Sequence, residues 1–405
     1  MTALVQRRKF LVAAFLLAMT VCNLALLFQV APKLRNGYQD FTIFYTGARL
    51  LRNGQASTLY NLATQYRMQQ TFTNVPIRLG PLPFNHPPFE ALLFVPFTLL
   101  GYWPAYLVWT ALNLIMLAVS VILLTRHFPQ FAGVSPLLVG LGATAFFPLA
   151  IGIIQGQDII LLLLLFVLAV IYLDQGRDVV AGAFLGVGLF RPQWAIPLVV
   201  LFAIRRWRVL LGFAPVALVL AGICVVLMGW HGPLNYAQFV LHLEGTDARA
   251  FGPSHVPNLR GLVEQLPGIG TSGPWKNGLI FVSSGAVFLL ALLRIRNGRD
   301  SIILCSSLAV ITTILVSFHA LVYDLSLLFP MVFPLLFRTA DPKEKKFDSL
   351  TIILAVLLFL TPLYVFFDYM VGKFVYVSLI LLWFYLRLLL APAPAEVPAE
   401  VPARA

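Results

Sequence analysis

Long apolar runs separated by short polar segments extend along almost the whole chain. Because a helix rises about 1.5 Å per residue, about 20 apolar residues are needed to cross the hydrocarbon core of a bilayer. The run 87–101 is short and contains Pro96, and the run 179–204 is interrupted by FRPQW, so the sequence leaves open whether these two are full spans. The pattern predicts an all-α polytopic membrane protein with about twelve candidate spans: 10–31, 87–101, 103–125, 134–153, 158–173, 179–204, 208–229, 278–295, 301–318, 321–337, 349–367 and 373–391.

The composition of the 405-residue chain agrees with this pattern. Hydrophobic residues make up 60% of the chain and charged residues only 11%, whereas a soluble domain carries about 25% charged residues. The net charge of +12 therefore indicates basic cytoplasmic loops and contact with anionic lipid rather than binding to nucleic acid. All three cysteines lie inside apolar runs, so they indicate packing and no disulfide framework.

The distribution of Lys and Arg predicts the orientation of the chain. The basic start and the long apolar run 10–31 are typical of a retained first span rather than of a cleaved signal peptide. With the N-terminus inside, the most basic short loops all become cytoplasmic, as the positive-inside rule requires. Both termini are then cytoplasmic, and two long loops, 32–86 and 230–277, lie outside. We expect one integral-membrane domain over residues 1–391 and a disordered Pro/Ala-rich tail over 392–405.

The stretch QDFTIFYTGARLL follows the first span and carries a lone carboxylate, Asp40. The next residues predict a short helix lying in the membrane interface, because apolar positions recur at helical spacing: Phe41, Phe44, Tyr45, Ala48 and Leu51. Asp40 stands at the start of this helix, where a carboxylate can cap exposed N–H groups. The spacing alone therefore leaves two interpretations of Asp40 open, a helix cap and a chemical group.

Two further polar clusters flank apolar runs. His86 precedes a Pro-Pro pair that fixes an extended entry to the next run, so His86 could shape a pocket wall or be an ordinary loop histidine. In IIQGQDIILLL, the residues Gln155, Gln157 and Asp158 separate two apolar runs. The simplest interpretation of this second cluster is a polar turn.

Arg191, in GLFRPQW, lies about half a span from either end of its apolar run. A buried arginine costs at least about 2.5 kcal/mol in the bilayer, so its side chain should face a cavity or a partner. A guanidinium can grip a phosphate with two parallel hydrogen bonds. Arg191 is therefore a candidate phosphate-binding residue.

The segment LVSFHALVYDLSLL places three titratable side chains in an otherwise apolar run. His319 and Tyr323 are four residues apart and share a helix face, whereas Asp324 is offset around it. Ionisable groups in such a run are functional candidates by default. The second outer loop adds SHVPNLRG, which forms either a solvated surface or a substrate wall and contains His255, Asn258 and Arg260.

Taken in order, these motifs resemble glycosyltransferase family 87, a group of GT-C membrane enzymes. The resemblance rests on DFTIFYTGARLLRNG, FNHPPFEALLFVPF, GQDIILLLLLFVLA, AGAFLGVGLFRPQWAIP, NLRG and SFHALVYDLSLL, and it extends over most of residues 38–330. The family pattern often has lysine at the position of Arg191, which keeps the charge. It more often has tyrosine where Asn85 and His86 stand, so a role for His86 is less well supported by the resemblance.

The resemblance implies a GT-C-like bundle whose first outer loop carries short interfacial helices. It also implies an inverting hexosyltransferase of the plasma membrane, with an active site on the extracytoplasmic side. The donor would be a polyprenyl-phosphate-linked sugar, commonly mannose, and the acceptor a glycan or glycolipid. In such enzymes an aspartate of the first outer loop is the usual base, and Asp40 matches that position.

The resemblance and the motifs together give an expected role to each candidate residue. The catalytic residues would be Asp40 and His319, and the donor phosphate would be bound by Arg191, Arg260 and Arg49. Other substrate contacts would come from Tyr45, His86, Gln157, Asn258, Tyr323 and Asp324. We expect neither a metal nor a cofactor, because the carboxylates are dispersed along the chain without a ligand motif.

Two other classes of protein would also explain buried Arg, His and Asp residues. A transporter or flippase for a lipid-linked or anionic solute needs them, but such proteins are commonly built from repeats with broken helices at the midplane. This chain shows no convincing repeat, and its polar motifs lie towards one membrane face. A non-catalytic assembly or polymer-handling protein is the third class, and it would tolerate loss of Asp40.

Overall fold

The computed structural model describes residues 2–74, 80–244, 255–266, 274–298, 300–338, 345–371 and 373–392. Within these ranges the chain forms helices and no strand, which confirms the predicted all-α class. The predicted disorder of the tail stays a prediction, because residues 393–405 lie outside the described ranges.

The first half of the described chain contains ten α-helices. They are α1 Thr2–Arg35, α2 Phe41–Arg52, α3 Leu62–Gln70, α4 Pro88–Phe94, α5 Tyr102–His127, α6 Pro136–Ala145, α7 Phe147–Gln155, α8 Ile159–Asp174, α9 Asp178–Val187 and α10 Pro192–Ala203. Short 3-10 helices accompany them at Ala56–Thr58, Val95–Leu99, Pro129–Phe131 and Gly188–Phe190.

The second half contributes nine α-helices over the same described ranges. They are α11 Val209–Met228, α12 Gly232–Glu244, α13 Leu259–Glu264, α14 Pro274–Arg296, α15 Ile302–Val316, α16 Phe329–Leu335, α17 Lys345–Leu357, α18 Thr361–Phe366 and α19 Val375–Leu389. A 3-10 helix at Val322–Leu328 precedes α16, and a π-helix at Phe367–Val371 follows α18.

Four described helices are long and apolar enough to cross a membrane: Gln6–Arg35, Tyr102–His127, Val209–Met228 and Trp275–Arg296. The pair α6 and α7, bent by 70° at Phe146, would be a fifth span if it is counted as one. The predicted bundle of about twelve full spans is therefore not confirmed, although several apolar helices indicate a membrane protein. The other predicted spans appear in the described chain as shorter apolar helices.

Proline explains where two predicted spans are interrupted. The run 179–204 divides into α9, a 3-10 turn and α10, because Pro192 has no N–H to continue a helix and favours a new first turn. The run 87–101 becomes α4 followed by a 3-10 turn that contains Pro96. These are the two runs that the sequence left open.

Helix α8 lies at the centre of the main hydrophobic core. It is apolar all round, and its side chains are buried on every face, as expected for a helix enclosed by other helices. The long helix α1 differs, because its large apolar side chains, including Phe10 and Phe28, are exposed on the protein surface. Such an exposed apolar surface is suited to contact with lipid.

Helices α9 and α11 approach each other closely through two glycines. A Cβ atom at Gly182 would lie 1.9 Å from the carbonyl oxygen of Val209, and one at Gly212 would lie 1.8 Å from that of Val179. Small residues at helix contacts allow backbones to pack closely in membrane proteins. This contact fixes α9, and through it the chain break that carries Arg191.

The helix predicted after Asp40 is present as α2, and protein encloses it on two sides. Phe41, Phe44, Tyr45 and Ala48 are buried against aromatic side chains of α4 and α5. On another face, Leu50 is buried in a second cluster with Phe84, Ala91 and their neighbours, whereas Leu51 is only half-buried. The predicted apolar stripe is thus one of two buried faces, and this packing places Asp40 at the end of α7.

Candidate active site

A cavity of about 750 Å³ opens beside Asp40. Its walls come from the end of α1, the turn before α2, helix α7, the segment 321–323 and the end of α18. The lining is largely apolar, and its polar side chains include Lys33, Asp40, Gln155, His255, Tyr323 and Asp368. This is a concave, mostly apolar pocket with a few convergent polar groups, which is typical of a site for a small molecule or a lipid-linked ligand.

Asp40 occupies the N-cap position of α2, but its side chain makes no capping hydrogen bond. Its Oδ2 atom instead accepts a hydrogen bond of 2.7 Å from Nε2 of Gln157, and its backbone N–H donates to Oε1 of Gln155 at 3.1 Å. The two glutamines of IIQGQD therefore hold Asp40 at the cavity wall. The side chain is half-buried there.

Helix α5 holds the segment that carries both glutamines. Three of its side chains share one helix face and donate to three backbone carbonyls of that segment. These bonds run from Tyr106 Oη to Ile154 at 2.8 Å, from Trp109 Nε1 to Gly156 at 2.9 Å and from Asn113 Nδ2 to Gln157 at 3.2 Å. Sequence reasoning missed these residues, although their spacing in YLVWTALN offered a signal.

Gly156 ends α7 with a left-handed conformation at φ +65°. A Cβ atom there would lie 2.8 Å from Cβ of Phe41, so both the conformation and the space favour glycine. The turn that it permits aims Gln155 and Gln157 at the same residue, Asp40. Gln157 and Asp158 do connect two apolar helices, as the polar-turn interpretation holds, but their side chains are buried and not solvated.

Arg191 lies in the chain break before α10 and is only 4% exposed. Its Nε donates to Oδ1 of Asp158 at 2.6 Å, and its Nη1 donates to Oδ1 of Asp324 at 2.8 Å. Its Nη2 donates to Oε1 of Gln157, which links the guanidinium to Asp40 through the amide. Two carboxylates thus balance this buried cation, as its position in an apolar run requires.

Asp324 and Tyr323 come together with Arg191 because the 3-10 helix at Val322–Leu328 packs on α7 and α8. Oδ2 of Asp324 accepts a hydrogen bond of 2.8 Å from the backbone N–H of Leu321. The ring of Tyr323 lines the cavity, and its centre lies 5.5 Å from the Arg191 guanidinium. Of the residues predicted for the site, the structure therefore brings together Asp40, Gln157, Arg191, Tyr323 and Asp324.

Asn258 and Arg260 fasten the segment that carries His319. Nδ2 of Asn258 donates to the carbonyl of Ser317, and its Oδ1 accepts from the N–H of Gly261 at the start of α13. Nη1 of Arg260 donates to the carbonyl of Phe318 at 2.7 Å, and its guanidinium lies 3.7 Å from the centre of the Phe318 ring. Both side chains are buried, and His319 itself is half-buried.

Tyr45 and Arg49 lie on α2, and neither is among the described residues that line the cavity. Tyr45 is buried and its hydroxyl donates to the carbonyl of Leu100 at 2.8 Å. The guanidinium of Arg49 lies 5.9 Å from the centre of the Tyr45 ring. Their predicted contacts with substrate stay predictions.

His86 meets two buried carboxylates behind the cavity wall. Its Nδ1 lies 2.7 Å from Oε2 of Glu90, and burial lowers the pKa of His86 to about 4, so that the imidazole is neutral at neutral pH. One ligand atom each of His86, Glu90 and Asp158 lies within 4.8 Å of the others. Sequence reasoning missed Glu90, which lies in the first turn of α4, four residues after His86.

Comparison with known proteins identifies the family of this chain. Residues 84–317, more than half of the chain, match the model of glycosyltransferase family 87. No curated protein and no solved structure gives a match. The matched residues include Gln157 and Arg191, whereas Asp40 precedes them and Asp324 follows them. The predicted resemblance is confirmed: the chain belongs to glycosyltransferase family 87 and is a glycosyltransferase.

Proposed function

We propose that the chain transfers a hexosyl group, mannose in the first instance, from a polyprenyl-phosphate donor to a hydroxyl of a glycan or glycolipid. Asp40 is the general base, and the anomeric configuration is inverted. The observation that carries this proposal is the position of Asp40: its carboxylate lines the large cavity and is held by Gln157 instead of capping α2.

The proposed step needs one base and no covalent intermediate. The carboxylate of Asp40 accepts the proton of the acceptor hydroxyl while that oxygen bonds to the anomeric carbon. The bond between the anomeric carbon and the phosphate oxygen breaks on the opposite face, and the polyprenyl phosphate leaves with the electron pair. General-base assistance of this kind contributes about 10²–10⁴-fold to the rate.

The shape and lining of the cavity support a lipid-linked donor. Apolar side chains of α1 and α7 form much of its wall, which is suited to an isoprenoid tail, and polar groups lie beside Asp40. Lys33 and His255 line the cavity and are our candidates for contact with the donor phosphate, which needs charge stabilisation as it leaves. His319 and Arg260 are further candidates, since the bond from Arg260 to the carbonyl of Phe318 places them next to the cavity-lining segment 321–323.

We propose that Arg191 acts as a positioning residue rather than by direct contact with phosphate. Its guanidinium already donates to Asp158, Asp324 and Gln157, and it is almost fully buried. A donor phosphate would have to displace a carboxylate to reach it. Through Gln157, Arg191 instead fixes the orientation of Asp40.

We further propose that the enzyme lies in the plasma membrane with both termini cytoplasmic and with Asp40 on the extracytoplasmic side. The distribution of Lys and Arg among the short loops supports this orientation. A polyprenyl-phosphate sugar displayed on that leaflet would reach the cavity laterally from the bilayer.

Sugar transfer in proteoliposomes tests the proposal. Purified wild type and Asp40→Asn are supplied with polyprenyl-phosphate mannose and a crude glycolipid extract, and the mannosylated lipid is counted. The amide keeps the shape of the side chain but cannot take up the proton. We expect Asp40→Asn to lose at least about 100-fold in rate at an unchanged unfolding temperature.

Asp368→Asn is the matched control, because it also removes one carboxylate from the cavity wall. We expect it to lose less than about tenfold in rate, since it is not the base. Near-wild-type transfer by Asp40→Asn would refute the role of Asp40. Absence of transfer by the wild type with this donor, together with transfer from another lipid-linked sugar, would refute the mannosyl assignment and leave the base to be tested with that donor.

A further inference from the structure

Buried acidic groups outnumber buried basic groups around Arg191. Glu90, Asp158 and Asp324 are 2%, 0% and 1% exposed; the guanidinium of Arg191 pairs with Asp158 and Asp324, and Glu90 lies against the imidazole of His86. When all three carboxylates are ionised, the group has a net charge of −2. Uncompensated buried charge costs several kcal/mol per ion, so this group must take up either protons or a further cation.

The unused oxygens show where that positive charge would bind. Nε and Nη2 of Arg191 both contact Oδ1 of Asp158, whereas a fork-shaped pairing would have engaged both oxygens. Oδ2 of Asp158 and Oε1 of Glu90 are buried and accept no hydrogen bond from another described residue, and the two carboxyls can bond to each other only if one of them holds a proton. Buried oxygens of this kind normally have a partner, and a cation between the two carboxylates would take the place of that proton.

The donor atoms near these oxygens form a mixed nitrogen and oxygen set. One atom each of His86, Glu90 and Asp158 lies within 4.8 Å of the other two. Ligands bound about 2.1 Å from one cation lie about 3–4 Å from each other, so the three groups are already near coordination spacing. Imidazole together with carboxylates suits first-row divalent metals such as Mn²⁺ and Zn²⁺.

We propose that His86, Glu90 and Asp158 bind one divalent first-row metal cation. A charge of +2 neutralises the group of three carboxylates and one guanidinium. Arg191 and the cation then occupy the two different oxygens of Asp158. Sequence reasoning expected no metal because its ligands are dispersed, but the fold brings the start of α4 to the start of α8.

The cation has a structural role in this proposal. It ties His86, just before α4, and Glu90, in the first turn of α4, to Asp158, which directly follows the segment that holds Asp40. The metal lies behind the cavity wall, because none of its three ligands is among the described cavity-lining residues. The proposal therefore does not depend on the donor or on the chemistry assigned to Asp40, and it is tested without any transfer assay.

The test measures metal binding and unfolding of the full chain in lipid nanodiscs. The protein is stripped with EDTA, desalted and titrated with MnCl₂ while free Mn²⁺ is followed by electron paramagnetic resonance. Tryptophan fluorescence reports the unfolding temperature before and after metal is added back, and ZnCl₂ is used as a competitor. We expect about one Mn²⁺ per chain, displaced by Zn²⁺, and an unfolding temperature that EDTA lowers and Mn²⁺ restores.

Three variants locate the ion. Glu90→Gln and His86→Asn each remove one ligand, and we expect both to weaken Mn²⁺ binding at least about tenfold. Glu264→Gln is the matched control: it makes the same change at a carboxylate paired with Lys276, and binding should stay as in the wild type. Having two ligand variants keeps the test decisive if one of them fails to fold.

Two results would overturn the proposal. A wild type that binds neither metal at millimolar concentration, with an unfolding temperature insensitive to EDTA and Mn²⁺, would mean that Glu90 and Asp158 share a proton instead. Equal Mn²⁺ binding by the wild type and both ligand variants would assign the ion to lipid phosphate or to another carboxylate.

Discussion

Arg191→Met removes the cation from the buried network and leaves two carboxylates facing each other without it. In the structure, Arg191 donates to Asp158, Asp324 and Gln157, and almost none of its surface reaches solvent. Methionine fills much of the same space, so the main change is electrostatic. We therefore expect a large loss of stability that packing alone would not produce.

The size of the loss follows from the burial of the pair. Removing one partner of a buried ion pair costs about 3–5 kcal/mol, because the other charge stays buried and uncompensated. Globular proteins unfold with about 2.1 cal/mol/K per residue, which gives about 0.85 kcal/mol/K for this chain length. The unfolding temperature of Arg191→Met should therefore fall by about 4–6 °C.

Arg191→Lys should have a smaller effect than Arg191→Met. Lysine keeps the charge but presents a single ammonium group, which cannot reach all three acceptors with the geometry of a guanidinium. Losing one hydrogen bond to a charged group costs about 1.5–3 kcal/mol, so the expected decrease is about 2–4 °C. The unfolding temperature should therefore decrease in the order wild type, Arg191→Lys, Arg191→Met.

Thermal unfolding in nanodiscs, followed by tryptophan fluorescence, measures these differences. Arg206→Met is the matched control, because Nη1 of Arg206 forms a 2.9 Å ion pair with Asp178 in which the side chains are 27% and 15% exposed. Solvent-accessible pairs contribute about 0–1 kcal/mol, so the control should shift by about 1 °C or less. Arg191→Met combined with Asp324→Asn should recover part of the loss, since one uncompensated carboxylate is removed.

An Arg191→Met unfolding temperature within about 1 °C of the wild type would refute the reasoning, because the network would then contribute no more than an exposed pair. If the effects of Arg191→Met and Asp324→Asn on stability were strictly additive in the double variant, the two side chains would not be paired. Either result would return Arg191 to the role of a free phosphate-binding residue.

Three further substitutions test the site and the fold. Gln157→Leu removes a hydrogen bond to the carboxylate of the base, worth about 1.5–3 kcal/mol, so kcat in the mannosyl-transfer assay should fall by about 10–150-fold. Gly212→Ala forces α9 and α11 apart, because its Cβ meets a backbone oxygen, and should cost about 3 kcal/mol in thermal unfolding. Lys33→Gln removes a cavity cation and should raise KM for the donor about tenfold in initial-rate measurements, with kcat little changed.

Each of these substitutions has a matched control on the same chain. Gln175→Leu makes the same change at an exposed residue, Gly222→Ala places a methyl group on α11 with nothing within 4 Å, and Arg35→Gln changes a cation that stacks on Trp103 instead. If a control variant changed kcat, the unfolding temperature or KM as much as its test variant does, the corresponding prediction would be contradicted. A Gly212→Ala protein as stable as Gly222→Ala, for example, would mean that the two helices separate without a penalty.

The long helices could be predicted from the sequence because the signal for them is local. Helices α1, α5, α11 and α14 each correspond to one uninterrupted apolar run of about the length that a bilayer requires. The shorter helices could not be predicted as well, because a Pro or Gly breaks a run without showing how the two parts are arranged. The 70° bend between α6 and α7 at Phe146, just before Pro148, is the clearest example.

The site could be predicted motif by motif but not as a network. The sequence singled out Gln157, Arg191 and Asp324, yet it gave no indication that they contact one another. Glu90 was missed because its partner His86 lies before Pro87 and outside α4, so helical spacing does not predict their contact. Asp368 and Lys33 were missed for a similar reason: their place at the cavity wall depends on how α1 and α18 pack.

In this network one residue orients the base and another compensates the buried carboxylates: Gln157 holds Asp40, and Arg191 pairs with Asp158 and Asp324. The amide of Gln157 holds the carboxylate of Asp40 and adds no charge of its own, whereas a guanidinium in the same position would add a full positive charge. Arg191 contacts Gln157 rather than Asp40 itself, and it forms ion pairs with Asp158 and Asp324. The two substitutions should therefore differ in size: Gln157→Leu should lower kcat and, because Arg191 loses one hydrogen bond, lower the unfolding temperature by about 2–4 °C, whereas Arg191→Met should lower kcat and lower the unfolding temperature by about 4–6 °C. If Gln157→Leu destabilised the protein as much as Arg191→Met, the amide would belong to the charge balance, and this separation of roles would be wrong.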